Sequence, residues 1–247
     1  MITNETYTIA VFFDIENLAR VGKFKVDIII NRLLEKGSVI VKKAYADWAN
    51  LASFKRGFHE SAVELIDMPG SKISGKNSAD IKMVVDALEF CYTKPHIDAY
   101  ALVTGDSDFS PLVSKLRENG KHVIGIGIKE SSSHLLIDNC DEFIFYEDLV
   151  QPKNKKRKRS PSGLSQVERE AFDQLLDAAI ALQRQDKTLH SSSVKEAMKR
   201  KQPQFSEEYH GYASFSKLLE HAEEQGLIKL RTHASGGTYV ISEILDS

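Results

Sequence analysis

The chain has 247 residues, 42% of them hydrophobic, and a formal net charge of −2. That is enough apolar material for one large domain or two smaller ones, while the start of the chain lacks a basic flank and no apolar run approaches bilayer length, so export and membrane insertion are not expected. The two cysteines, Cys91 and Cys140, match neither a metal-ligand spacing nor a disulfide framework, which points to a reducing compartment and a cytoplasmic location.

Residues 8–13 form an apolar run closed by Asp14 and followed by Ile15-Glu16-Asn17-Leu18; a helical pattern then runs from Val26 to Leu34 and stops before Gly37. This predicts strand, acidic loop, helix. Residues 39–45 read as a second strand, 54–61 as a helix, and 63–68 as a third strand stopped by Pro69-Gly70. Beyond a polar loop at 71–77, Ile81, Val84, Val85 and Leu88 predict an apolar helical face, with Asp80 in the first turn. Residues 100–103 read as a buried strand that runs into Thr104-Gly-Asp106-Ser107-Asp108-Phe109, and Ser110-Pro111 opens the next helix. Asp108 or Ser110 is a candidate cap for that helix, with Pro111 in its first turn. Residues 121–128 and 143–146 are the fifth and sixth strands, separated by a short helix near His134 to Ile137. Strands alternating with helices predict a parallel sheet covered on both faces.

Residues 151–163 hold two prolines, six basic side chains and no acidic one, so a first domain is expected over 1–150, a basic linker over 151–163 and a second domain over 164–247. The net charges of these three segments are −5, +6 and −3. A cationic belt between acidic halves is a handle for a polyanion. In the second domain, Val167, Phe172, Leu175, Leu176, Ala179 and Leu182 mark a long amphipathic helix, residues 194–201 a shorter one, and 215–225 a third that ends at Gly226. Residues 227–230 and 239–241 then flank Ala234-Ser-Gly-Gly237 as a hairpin, so three helices and a two-stranded wing predict a winged helix-turn-helix.

Asp14 closes strand one, Asp106 and Asp108 close strand four, and Asp80 opens the helix between strands three and four. If strands one and four are neighbours where the strand order reverses, all four carboxylates rim one crevice. Such a cluster repels itself unless it surrounds a cation, and oxygen-only ligands point to Mg²⁺ or Mn²⁺ and to phosphodiester hydrolysis. Gly125-Ile-Gly127 lies inside an apolar strand with no third glycine opening a helix, so it is no dinucleotide fingerprint. A haloacid-dehalogenase-type phosphotransferase wants a second Asp where Glu16 stands, and an acid pocket of the response-regulator kind leaves Asp106 and Asp108 superfluous.

The order Phe13-Asp-Ile-Glu-Asn17, then Asn77-Ser-Ala-Asp80-Ile-Lys82 with Asp86, then Thr104-Gly-Asp-Ser-Asp-Phe109 resembles the NYN branch of the PIN-like nucleases over roughly residues 7–150. The resemblance implies a PIN-like Rossmannoid sheet sandwiched by helices, and metal-dependent RNA cleavage at Asp14, Asp80, Asp106 and Asp108, supported by Asn17, Ser107 and Asp86. The second half resembles the OST-HTH, or LOTUS, domain at Tyr209-His-Gly-Tyr-Ala-Ser-Phe-Ser-Lys-Leu-Leu219 and at Gly226-Leu-Ile-Lys-Leu230, and the whole chain resembles a LabA-like arrangement. This implies RNA as a partner, and a protein partner through the C-terminal module. Phe215, Leu218 and Leu219 are expected in the core, so RNA contacts are assigned to Lys155, Lys156, Arg157, Lys158 and Arg159 of the linker. Lys195, Lys199 and Arg200 are further candidates, with Lys201, Lys229 and Arg231 behind them. The combined expectation is a divalent-metal-dependent RNA endonuclease with a C-terminal RNA-binding module. The alternative is a non-catalytic regulatory or scaffold protein that keeps the same fold to bind RNA or protein.

Overall fold

The computed structural model describes residues 6–18, 24–69, 78–150, 164–232 and 238–245, apart from the side chains of Glu16 and Asn17. The chain divides into two compact units, with the boundary between Gln151 and Pro152.

The first unit is built on six strands: β1 (Tyr7–Asp14), β2 (Gly37–Ala46), β3 (Glu64–Asp67), β4 (Ala99–Val103), β5 (His122–Gly127) and β6 (Glu142–Phe145). They pair in the order β3-β2-β1-β4-β5-β6, every pair parallel. The two central strands are apolar along their length because both faces are covered, the expected state of an all-parallel sheet. Ile9, Val11 and Phe13 of β1 enter one core with Ala99, Ala101 and Val103 of β4. Ala10, Phe12, Tyr100 and Leu102 enter the other. The first core is closed by α1 (Ile15–Leu18), α2 (Val26–Lys36), α3 (Ala52–Glu60) and α7 (Tyr146–Val150), which supply Ile15, Leu18, Ile29, Leu33, Phe58 and Tyr146. The second is closed by α4 (Ser78–Thr93), α5 (Ser110–Glu118) and α6 (His134–Asn139), which supply Met83, Ala87, Leu112, Val113, Leu116 and Leu136. The result is an α/β/α sandwich whose strand order reverses between β1 and β4, the predicted neighbours.

Helix α4 departs from the sequence expectation in its orientation. It buries Ala79, Met83, Ala87 and Cys91 against the sheet, while Ile81 and Val85 are exposed and Val84 and Leu88 sit at the edge of the core. Small side chains explain this: two alanines and a cysteine let the helix lie close over the large rings of Phe12, Tyr45 and Tyr100, which fill the layer from the strand side. The cap ahead of α5 also differs. Asp106, rather than Asp108 or Ser110, accepts the Asp108 N–H and caps a 3-10 turn at Ser107–Phe109, and Pro111 takes its place in the first turn of α5.

The second unit contains α8 (Gln166–Gln183), α9 (Ser191–Lys201) and α10 (Phe215–Glu224), with the strands β7 (Leu189–His190), β8 (Ile228–Thr232) and β9 (Tyr239–Ile244). The strands pair antiparallel in the order β7-β9-β8. Helix α8 starts on a reciprocal cap between Ser165 and Glu168, and α10 is followed by Gly226 at a φ of 71°, a left-handed position that glycine takes without cost. Leu175, Val194, Phe215, Leu218, Leu219, Ile228 and Ile241 share one core, as expected for Phe215, Leu218 and Leu219. The hairpin tip at 234–237 and the linker at 151–163 lie outside the described residues. Among the described residues, no helix is long and apolar enough to cross a membrane.

Candidate active site

The sheet places two of the predicted acids side by side. β1 pairs with β4 through Phe13 opposite Val103, so Asp14 and Thr104 leave adjacent strands at the same end. Thr104 is fully buried, and its hydroxyl donates to Asp14 Oδ2 at 2.8 Å while accepting the Asp106 N–H at 3.2 Å. The Asp108 N–H in turn donates to Asp106 Oδ1 at 2.9 Å. One chain of hydrogen bonds therefore fixes three acidic residues relative to the strand ends. Their exposure is graded: Asp14 is 6% exposed, Asp106 half-buried and Asp108 open to solvent.

The turn is held from its far side as well. Ser133 donates its N–H to Gly105 O at 2.9 Å, and a Cβ on Gly105 would stand 2.9 Å from Ser131 O, so residue 105 must be glycine for the serine segment to close over it. Gly127 of β5 serves the same close approach, since the space a Cβ would need is filled by Ser132 Oγ. Gly125 of β5 likewise gives its space to a side chain, the Phe143 ring. Phe109 is buried in the second core and anchors the end of the turn.

Asp80 reaches the same rim by topology. Helix α4 connects β3 to β4, two parallel strands, and must run antiparallel to them, so its first turn lies at the strands' C-terminal end. There the half-buried Asp80 sits in the positive end of the helix dipole. Ser107 is half-buried within the 3-10 turn, and the Asn17 side chain lies outside the described residues. Asp86 is elsewhere. Nearly buried, it accepts from Tyr45 Oη at 2.7 Å and from Lys82 Nζ at 2.5 Å, with Lys43 Nζ at 3.8 Å. Burial and the Asp86 carboxylate together push the Tyr45 hydroxyl far above the ordinary tyrosine range. This cluster ties α4 to β2 and satisfies a buried charge, which is a different task from facing the rim.

Among the described residues no three His, Cys, Asp or Glu side chains stand close enough together to hold a metal ion by themselves. In the second unit, Lys195 pairs with Glu207 at 2.5 Å and lies over the Phe215 ring, Lys199 is exposed, and Arg200 and Lys201 are half-buried. Lys155, Lys156, Arg157, Lys158 and Arg159 lie outside the described residues.

The residue that sequence reasoning passed over is Thr104. Its signal was its position, first after the strand and two before Asp106. Thr104→Val keeps the shape and removes both hydrogen bonds, one of them to a buried carboxylate. We expect it to lower unfolding free energy by about 1–3 kcal/mol in urea titration, and Thr104→Ser to keep most of that stability. A valine variant as stable as the native chain would remove Thr104 from this role.

A six-stranded parallel sheet flanked by helices fits a PIN-like α/β domain. Residues 8–147 match the NYN domain, and the chain belongs to that family. The uncharacterized protein MJ0482 of Methanocaldococcus jannaschii is 31% identical over 172 residues, which cover 68% of this chain and 67% of that protein. The crystal structure of a protein of unknown function, VPA0982 from Vibrio parahaemolyticus, superposes with a TM-score of 0.51 at 25% identity, covering 60% of this chain and 98% of that one.

Proposed function

We propose that this chain is a divalent-metal-dependent RNA endonuclease whose second unit, an OST-HTH/LOTUS-type winged helix-turn-helix, holds the RNA. The observation that carries the reading is the adjacency of β1 and β4, which couples Asp14 to Asp106 through Thr104 at the reversal of strand order. The donor set is entirely oxygen. With no three carboxylates closing on one point, it suits a hydrated ion that takes one or two carboxylates at a time and fills its other positions with water and substrate phosphate. Of Asp14, Asp80, Asp106 and Asp108, one or two at a time would hold it directly and the others through its bound water. Bound there, Mg²⁺ or Mn²⁺ supplies an acidified water and offsets charge on the scissile phosphate. The chain's own part is positional: Thr104 and the Asp108 amide fix where Asp14 and Asp106 point, and the exposed Asp108 carboxylate orients the attacking water.

RNA capture falls to the linker and the second unit. Lys199 and Arg200 stand in the last turn of α9, the first exposed and the second half-buried, and Tyr209 is 73% exposed, an unusual position for an aromatic ring and one on which a base can stack. Its loop is tied to α9 by the Lys195–Glu207 pair, so Lys195 supports this surface from behind.

Metal binding is testable without substrate. A ligand that binds only the folded chain stabilises it by about 2.7 kcal/mol at a hundredfold excess over its Kd. Mn²⁺ is expected to raise the Tm of the native chain, and Asp14→Asn combined with Asp108→Asn to remove most of that increment. An equal shift in the double variant would place the ion elsewhere.

A further inference from the structure

The outward face of α4 is apolar, and its spacing is specific. Ile81 is 62% exposed, Val85 52% and Tyr92 62%, and Leu88 between them is half-buried. Residues 81, 85, 88 and 92 are separated by four, three and four positions, the spacing of a coiled-coil seam, so all four lie along one line of the helix. Contiguous exposed apolar surface on a folded domain marks an interaction site, and here it has a register.

We propose that this face pairs with the same face of a second copy of the chain, the two α4 helices antiparallel about a two-fold axis between Asp86 and Ala87. In that register Ile81 meets Tyr92 of the second copy and Val85 meets its Leu88, each contact made twice. The charges beside the seam choose this partner and this direction. Lys82 and Glu89 are exposed at equivalent flanking positions one heptad apart, and antiparallel pairing sets Lys82 of each copy against Glu89 of the other. Lys82 Nζ also bonds Asp86 within its own chain at 2.5 Å, and its side chain is 45% exposed, so the contact across the seam shares or exchanges that ammonium group. A parallel pair would carry the two Lys82–Glu89 flanks to opposite sides of the seam, each against the uncharged Val84 and Cys91 flank of the other copy, and would leave both charges without a partner across it. The charge pattern is therefore self-complementary in one orientation only. On the opposite flank Val84 and Cys91 turn toward the domain's own core and leave no competing charge. A seam of four residues is short, so the contact belongs to the weak, concentration-dependent class. Asp80 immediately precedes the first seam residue, and the pairing sets the two copies of it roughly 20 Å apart along the helix axis.

The test is sedimentation velocity on the full chain over a dilution series from micromolar to near-millimolar. A monomer–dimer equilibrium is expected, and Val85→Glu, a change at an exposed position, should abolish it while far-UV circular dichroism and Tm stay native. Lys82→Glu and Glu89→Lys should each weaken self-association by roughly tenfold or more, because each creates two like-charge contacts. Mixing these two variants restores opposite charges at both contacts, and the mixture should associate as tightly as the native chain. A native chain that stays monomeric throughout, a Val85→Glu variant that dimerises like native, or a mixture no tighter than its separate components would each overturn the proposal.

Discussion

Asp106→Asn is expected to lower metal-dependent RNA cleavage by roughly a hundred- to a thousandfold while leaving the protein folded, the size of loss seen when one preorganised electrostatic group is removed from a reacting centre. The fold uses one oxygen of this side chain. Oδ1 accepts the Asp108 N–H and caps the 3-10 turn, and asparagine offers the same acceptor at the same place and is itself a favoured cap. Only the charge is lost. Asp106→Ala removes the cap as well and should cost about 1 kcal/mol of stability besides the activity. Equal melting temperatures for native and Asn variants, with a lower one for Ala, would separate the chemical role from the structural one. Full turnover in the Asn variant would remove Asp106 from the reaction.

Neutralising Lys155, Lys156, Arg157, Lys158 and Arg159 together should weaken RNA capture and leave turnover at saturating RNA unchanged. Each basic side chain that neutralises a phosphate releases condensed counterions, and for single strands each contributes roughly 0.7 to the slope of log Kobs against log salt. Five such contacts predict a slope lower by about 3.5 in the neutral variant. A fragment ending at Val150, which keeps every acid of the rim, should behave alike and more strongly. It retains cleavage when RNA is abundant, with an apparent affinity lower by roughly a hundredfold, because losing a tethered second site lowers the effective concentration at the first. Titrations at two salt concentrations check both. Identical affinities and slopes for native and neutralised chains would leave the basic segment no part in capture.

Much of this architecture was legible because the strands are simple. The β1, β4 and β5 segments are apolar on both faces, and their turn residues punctuate them, so alternating strands and helices emerged with boundaries displaced by a residue or two. Helix α4 was misread in orientation because Ile81 and Val85 outweigh alanine on any hydrophobic reading, whereas packing distance favoured Ala79, Ala87 and Cys91 against the sheet. Asp14 and Asp106 could be paired in advance only through the guess that β1 and β4 are neighbours; the residue that joins them, Thr104, gives no sign beyond its position, since a hydroxyl after a strand ordinarily serves a local turn. The fate of Asp86 was hidden for a related reason. Its partner Tyr45 comes from β2, forty-one positions earlier, and nothing in the helix sequence reveals it. α7 and β7 are short and carry little periodicity, so they appeared only in the structure.

The central claim is that the acids at the β1–β4 rim cut RNA with the help of a divalent ion. It is tested most directly by incubating the purified full chain with end-labelled single-stranded and structured RNA, with Mn²⁺ or Mg²⁺ and then with excess chelator. Internal cleavage is expected that requires the ion, stops in chelator and is lost in Asp106→Asn. Cleavage that persists unchanged in chelator, or RNA bound by the native chain and left intact with either ion, would contradict it.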